Sequence, residues 1–371
     1  MKFNTTKSAL KETLAIVGKA VVAKADSEHS YITAEYTNGK IKFSAFNGDM
    51  YIEKSITSNL AFLDTSDVSF MVKGKLLIDI VNKIADGDVE LLYEKGDFVI
   101  RYCGGDAELP TMEVLFDNPL GEIEATRECL YVNGTDFAAL AKKTAPFTDS
   151  GDSRPILKGI NFTIANDKLV GVACDGYRIS MIYVDAEAHN IDNGFNITLP
   201  AESVTALASI ASDSENIRIS LAGNKGIVCE NNGTLVLVRA LSGKYIDFAR
   251  IIPTTFKHRL EVNVEAMKEA IDKALLFVAD KAPVELLVTA DNLTIEGNSA
   301  LGTISEKMDV ARKIGSGDFD ICFNGKYLLE ILKCLDSENV LWSLNGKMQA
   351  TVFINETQTE LYMLLPVRKE G

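Results

Sequence analysis

The chain has 371 residues, 47% hydrophobic and 24% charged, a globular composition with length for two or three domains and enough core to fold without disulfide or metal staples. Against 38 Lys and Arg stand 52 Asp and Glu, a formal charge of -14 that repels a polyanion over most of the surface and argues against a conventional basic DNA-binding face. The six cysteines (Cys103, Cys129, Cys174, Cys229, Cys322, Cys334) include no C-x-x-C pair, which fits neither a zinc site nor a disulfide framework and reads as reduced intracellular thiols. No cleavable leader and no apolar run of about 18 residues occurs, so a cytoplasmic protein without membrane association is expected.

In chain order, the pattern predicts a strand entering a helix within 1–24, a hairpin over 31–36 and 40–45 around Asn38-Gly39, and a helix over 73–83. A second round gives a helix in 136–154, a hairpin from Lys168 to Val184 around Asp175-Gly176, a helix over 200–211 and a hairpin around Asn232-Gly233. A third gives helices in 257–275 and 324–333. The openings match: Phe3 is followed seven residues later by Leu10, Leu130 by Phe137, and Leu260 by Met267. Further on, 72–84 (VKGKLLIDIVNKI) matches 323–335 (FNGKYLLEILKCL), with a looser middle copy at Leu199-Pro200-Ala201-Glu202, and 213–217 (DSENI) matches 336–340 (DSENV). A period near 125 residues is too long for a solenoid unit and right for a domain. The expectation is an α+β fold of three similar domains, 1–120, 128–252 and 258–371, each of antiparallel sheet with two helices, with linkers at 117–128 and 253–257.

The six predicted helical stretches carry formal charges of +4, +2, 0, -1, 0 and +1, a net +6, which leaves -20 for the rest. Two readings fit: lysine as a good helix former on solvated faces, or a helical surface that faces an anion inside an acidic shell. No H-E-x-x-H, G-x-S-x-G, Walker A or G-x-G-x-x-G motif is present, and His29, His189 and His258 are isolated, so no catalytic, metal or cofactor site is expected. Asp175-Gly176-Tyr177-Arg178 reads as a hairpin turn or as a functional one. The C-terminal run from Leu361 is apolar on both faces, Leu361, Met363, Leu365 and Val367 on one and Tyr362, Leu364 and Pro366 on the other. It is either a strand covered on both sides or one wall of an apolar groove, with Pro366 marking its end or an edge.

Met1-Lys2-Phe3, the turn at 173–178 (ACDGYR), the segment 247–253 (DFARIIP) and the ending Leu364-Leu365-Pro366-Val367-Arg368 together resemble the bacterial beta sliding clamp family over the whole chain. The resemblance implies a head-to-tail homodimeric ring around duplex DNA, acting without catalysis or cofactor as a processivity factor, cytoplasmic and nucleoid-associated. It implies partners, namely a replicative polymerase, a clamp loader and repair polymerases, that insert short apolar peptides. By position the peptide pocket would comprise Leu157, Cys174, Gly176, Tyr177, Arg178, Ile179, Arg250, Ile251, Met348, Met363, Leu364, Leu365, Pro366, Val367 and Arg368, with Ile246 where the family commonly has proline. The resemblance also implies DNA-facing cations at Lys24 and Arg154, with Lys75 and Lys273 added from helix position. Ring closure would involve Gly104, Asp106, Leu276 and Phe277, although 103–108 reads CGGDAE where the family usually offers apolar residues, which implies either a weaker dimer or a different set of contacts. The competing classes are an enzyme built from duplicated domains, which would need a ligand cleft, and a clamp-fold scaffold that never encircles DNA.

Overall fold

A computed structural model describes residues 1–24, 27–57, 67–115, 119–191, 195–278, 283–300 and 302–368. The first third runs β1 (Lys2–Thr6), α1 (Lys7–Val17), β2 (Tyr31–Thr37), β3 (Lys40–Phe46), β4 (Met50–Thr57), β5 (Val68–Lys73), α2 (Gly74–Lys83), β6 (Asp88–Glu94), β7 (Asp97–Tyr102) and β8 (Gly105–Pro110). The middle runs β9 (Cys129–Val132), α3 (Gly134–Thr144), β10 (Gly159–Ala165), β11 (Lys168–Cys174), β12 (Arg178–His189), β13 (Asn196–Pro200), α4 (Ala201–Ala211), β14 (Ile217–Leu221), β15 (Gly226–Asn231), β16 (Thr234–Arg239) and the single turn α5 (Phe248–Ile251). The last runs β17 (His258–Asn263), α6 (Val264–Leu275), β18 (Val284–Val288), β19 (Asn292–Ser299), β20 (Gly302–Asp309), β21 (Ala311–Ile314), β22 (Phe319–Phe323), α7 (Gly325–Cys334), β23 (Asn339–Leu344), β24 (Thr351–Asn355) and β25 (Glu360–Leu364).

The order is thus strand, helix, four strands, helix, three strands, repeated three times. In the last copy, β20 and β21 replace one long strand, and in the middle copy β12 divides its pairing at the same place. Residues 178–185 of β12 pair with β11, and 186–189 with β9, just as β20 pairs with β19 and β21 with β17. The repeat persists in the core: Phe3, Leu10, Leu130, Phe137, Leu260 and Met267 are all at most 2% exposed.

Contacts gather the chain into two compact units, Met1–Ala138 with Ala186–Leu241, and Ala139–Asp185 with Ser242–Gly371. In the first, β1-β6-β7-β8 form one antiparallel sheet. A second runs β5-β2-β3-β4-β16-β15-β14-β9, so β4 and β16 join the first and middle repeats edge to edge. Its hairpins turn through Asn38-Gly39 (φ 50° and 76°) and Asn232-Gly233 (φ 47° and 71°), two successive left-handed residues that asparagine and glycine tolerate best. Gly134 opens α3 where a Cβ would lie 1.9 Å from the Ala211 carbonyl oxygen, so only glycine fits this approach.

In the second unit, one sheet runs β10-β11-β12-β25-β24-β23-β17, with β21 on β17, so β12 and β25 join the middle and last repeats as β4 and β16 join the first two. The other is β20-β19-β18-β22. Trp342, fully buried, stacks on Phe353 with ring centroids 5.8 Å apart, and its indole N–H donates to the Thr351 hydroxyl. Side chains of Asn263 and Asn324 cap α6 and α7 by accepting backbone N–H bonds.

The helices are shorter than the sequence pattern predicts. Strands β1 and β17 occupy the starts of 1–24 and 257–275, and α3 ends at Thr144 where Pro146 intervenes. Leaving aside the single turn α5, the helices carry +1, +1, +1, -1, -1 and +1, a net +2 instead of +6. The remaining cations lie in the flanks, among them Lys2, Lys19 and Lys24. Of the linker at 117–128, residues 117 and 118 fall outside the described residues, as do Lys369, Glu370 and Gly371.

Candidate functional site

Strands β11, β12, β24 and β25 of the second unit turn alternate side chains toward one apolar cluster. Val170, Val172 and Cys174 come from β11, Ile179 and Met181 from β12, Val352 from β24 and Met363 from β25, joined by Leu157 and Tyr245. Ile246, Phe248 and Ile252 pack against it half-buried. Five of the sequence-derived residues, Leu157, Cys174, Ile179, Ile246 and Met363, therefore come together here, while Leu364 is buried. The periodicity of β11 could have supplied Val170 and Val172, whereas Tyr245, Val352 and Phe248 carry no sequence mark of their own.

Within one or two positions along the chain from residues of this cluster or packed on it stand large apolar side chains open to solvent: Tyr177 is 61% exposed, Met348 56%, Ile251 46% and Leu365 37%. Isolated exposed apolar residues are ordinary, but Tyr177 and Leu365 are linked by the Leu365 N–H donating to the Tyr177 carbonyl at 2.9 Å. Strand β25 ends at Leu364, before Pro366, and the chain is then held by the Val367 N–H donating to the Cys322 carbonyl. Pro366 and Val367 are half-buried and Arg368 is exposed. Residues 362–364 are buried, as the reading of a strand covered on both sides expects, and Leu365 is exposed beyond the strand's end.

The Asp175 carboxylate fixes the turn, with one oxygen accepting from the N–H groups of Tyr177 and Arg178 and the other from the Arg178 side chain at 2.8 Å. Gly176 has φ 96°, a left-handed conformation that favours glycine. Arg178 is only 6% exposed; its guanidinium also pairs with Glu330, donates to the Pro146 carbonyl, and lies over the rings of Phe147 and Tyr327. Burial alone would lower its pKa, but the bonds to Glu330 and Asp175 outweigh burial and raise it. Arg178 is thus an internal brace of the turn that presents Tyr177, a role the sequence did not indicate. Arg250, by contrast, projects into solvent and pairs with Asp247 at 2.9 Å.

A second ionic knot lies on β25. Lys143, 9% exposed, donates to Asp336 and Glu360 at 2.6 Å each, and the Tyr362 hydroxyl donates to the other oxygen of Glu360. Burial depresses the Lys143 pKa, yet the two carboxylates outweigh it and raise it. Burial pushes the Cys174 thiol up and Cys334 to about 11, so neither is a nucleophile near neutral pH. Among the described residues no three His, Cys, Asp or Glu side chains gather as metal ligands.

Of the proposed DNA-facing cations, Lys24 and Lys75 are exposed. Lys273 pairs with Glu306 at 3.0 Å, and Arg154 donates to the Asp175 carbonyl at 3.3 Å. Of the proposed closure residues, Leu276 is 75% exposed, and the Phe277 ring lies 3.5 Å from where a Cβ on Gly302 would be, at the start of β20. Gly104 turns the β7–β8 hairpin with φ 105°, and Asp106 is exposed on β8.

Two domain families match the sequence: the DNA polymerase III beta subunit central domain over residues 131–247 and its C-terminal domain over 249–368, together well over half the chain. The beta sliding clamp of Streptococcus pneumoniae is 26% identical over 99% of both chains. That of Staphylococcus epidermidis is 24% identical over 82% of this chain and 81% of its own. Among solved structures, the DNA polymerase sliding clamp of Bacillus subtilis superposes with a TM-score of 0.89 at 23% identity, covering both chains completely. The DNA polymerase III beta chain of Streptococcus pneumoniae gives 0.90 at 24%, over 99% of this chain and all of its own. The described chain has their three-domain α+β clamp fold.

Proposed function

The chain belongs to the DNA polymerase III beta-subunit family, and from that premise we propose that the apolar surface around Tyr177 and Leu365 receives the peptides of its partners. It is a DNA sliding clamp, a non-catalytic processivity factor that works with DNA, a polymerase and a second copy of itself. The observation that supports the peptide reading is a buried apolar floor with exposed Tyr177 on a turn braced from beneath, Leu365 bonded to that turn, and Ile251 and Met348 exposed close along the chain to residues packed on the floor. A peptide with a glutamine, a spacer and two or three aliphatic or aromatic residues suits it: the apolar anchors enter beside Leu157, Ile179, Ile251 and Leu365, and the glutamine takes the polar end. Replicative polymerase, clamp loader and repair polymerases would share this one surface. Little area is buried and the peptide must be ordered, so affinity should be around micromolar, about -8 kcal/mol.

The ring would encircle the duplex, in the cytoplasm at the nucleoid, with Lys24 and Lys75 among its loose phosphate contacts, Lys273 and Arg154 contributing less because each already has a partner. Holding by topology needs few persistent contacts, which permits sliding. The domains would follow the sequence repeats, 1–120, 128–252 and 258–371. Titration of a fluorescent peptide into wild type and into the Leu365→Asp, Tyr177→Ala double variant tests the surface. Loss of binding with unchanged circular dichroism supports it, and wild-type affinity in the variant overturns it.

A further inference from the structure

The two junctions between repeats within the chain are built alike. At the middle–last junction the turn 175–178 leads β11 into β12, and at the first–middle junction the turn 47–50 leads β3 into β4. The Asn47 side-chain oxygen accepts from the N–H groups of Asp49 and Met50, as the Asp175 carboxylate does from those of Tyr177 and Arg178. The Arg239 N–H donates to the Asp49 carbonyl at 2.8 Å, as the Leu365 N–H does to that of Tyr177. The ladders match as well: Tyr51 faces Leu237 where Ile179 faces Met363, and Val228 and Val352 are the next neighbours. On the other side Phe46 faces Tyr51 where Cys174 faces Ile179. Tyr51, Leu237 and Val228, with Phe46 packed on them, belong to one apolar cluster, and their four counterparts belong to the floor of the proposed peptide surface.

What covers the two floors differs. At the first–middle junction Leu120 and Ile123 complete the cluster, 0% and 3% exposed. The Ile123 N–H donates to the Leu120 carbonyl at 2.8 Å, closing a turn that leaves Gly121 and Glu122 in solvent. At the middle–last junction the linker buries Tyr245 but leaves Ile246, Phe248 and Ile252 half-buried and Ile251 exposed. The rims differ in the same sense, with Asp49 and Arg239 standing where Tyr177 and Leu365 stand. The Arg239 guanidinium reaches the Glu122 carboxylate at 3.3 Å and the Gly48 carbonyl at 3.5 Å, so it spans from the linker to the turn.

Resting on the peptide reading above, we infer that the first–middle junction is a second groove of the same design and that residues 119–123 of the chain itself are its ligand. Leu120 and Ile123 are the aliphatic anchors, and Arg239 is the clasp that holds the strap through Glu122. The charged rim sets the occupant. Asp49 and Arg239 offer an outside apolar peptide no aromatic or aliphatic contact, whereas Arg239 gives an acidic strap an ion pair. Tethering acts in the same direction, because a segment of the same chain competes at an effective concentration of about millimolar. The chain thus keeps this groove closed to partners, and removing the strap's anchors opens it.

A fluorescent peptide with the sequence of residues 119–125 (PLGEIEA), titrated into the full chain, tests the groove. Leu120→Ala with Ile123→Ala clears the floor, and this variant should bind the peptide about tenfold or more tighter than wild type, whose groove is filled. Adding Leu365→Asp and Tyr177→Ala should leave that binding unchanged. Binding no tighter than wild type in a variant with unchanged circular dichroism overturns the inference, and so does binding that disappears with Tyr177 and Leu365. Failure of partner-type peptides to bind wild type is a separate result: it removes the reading of the middle–last surface, while the first groove is judged on its own peptide. Glu122→Lys leaves the apolar floor intact and supplies a second test that does not depend on the alanine variant folding. A like charge against Arg239 should speed hydrogen exchange of the Ile123 amide about two- to fivefold, and an unchanged rate overturns the clasp and the inference with it.

Discussion

The proposed peptide surface of the second unit and the exposed cations on and beside the helices are built on opposite principles. At the first, every supporting group is fixed: Asp175 holds the turn through three bonds, Arg178 is clamped among Asp175, Glu330 and two aromatic rings, and β25 is tied by Lys143 through Glu360. The unengaged cations, Lys75 on α2 and Lys24 in the segment that follows α1, stand in solvent. A protein that must hold a polymerase and yet move along DNA needs a preorganised site for the first task and weak, exchangeable contacts for the second.

The largest expected effect breaks the fixed side. Leu365→Asp with Tyr177→Ala places a charge beside the apolar floor and removes the most exposed aromatic, and should weaken peptide binding by about 100-fold or more in anisotropy titrations. Next, Arg178→Met leaves the carboxylates of Asp175 and Glu330 without their cation. It should cost about 2–3 kcal/mol in urea unfolding, less than a fully buried pair because Glu330 is half exposed, and should weaken peptide binding indirectly. Glu330→Gln, which leaves Asp175 in place, should cost less.

The pH response separates the two regions further. Lys143 and Arg178 both have raised pKa values and stay protonated to beyond pH 10, so the stability they contribute is present throughout the neutral range and is lost only as pH rises through those values. The Cys174 thiol, also raised, stays neutral. Peptide affinity should therefore be flat between about pH 6 and 9; a bell-shaped profile in calorimetric titrations would reveal a titrating group this account omits.

The smallest effects belong to these exposed cations. Lys24→Ala or Lys75→Ala should lower non-specific DNA affinity only two- to threefold or so and reduce the salt slope by about one unit, the amount expected for one phosphate contact. Lys273→Ala should do less, because Glu306 already engages that amine at 3.0 Å.

The sequence made the repeated architecture legible because each repeat marks its own turns and core, as with Asn38-Gly39, Asn232-Gly233 and the Phe3–Leu10 spacing that recurs twice. The floor residues Cys174, Ile179 and Met363 were reached by position from the resemblance carried at 173–178 and 364–368, where local pattern alone left a turn and a buried strand as alternatives. Arg178 as an internal brace was not legible, since Glu330 lies 152 residues away and only the fold brings them together. The helix charge was overestimated because lysines in the flanking strands and turns share the helix pattern at its ends. Sequence boundaries also hid the β4–β16 and β12–β25 junctions, which are pairings between distant segments with no local signature.

The central claim is that the protein holds DNA by enclosing it. It is tested most directly by loading the protein onto a nicked circular duplex with a clamp loader and ATP, washing with high salt, and then cutting the circle once. The account predicts that the protein survives the wash, since a closed ring needs no persistent ionic contact, and leaves when the DNA acquires ends. Loss in the salt wash from circular and linear DNA alike would contradict it.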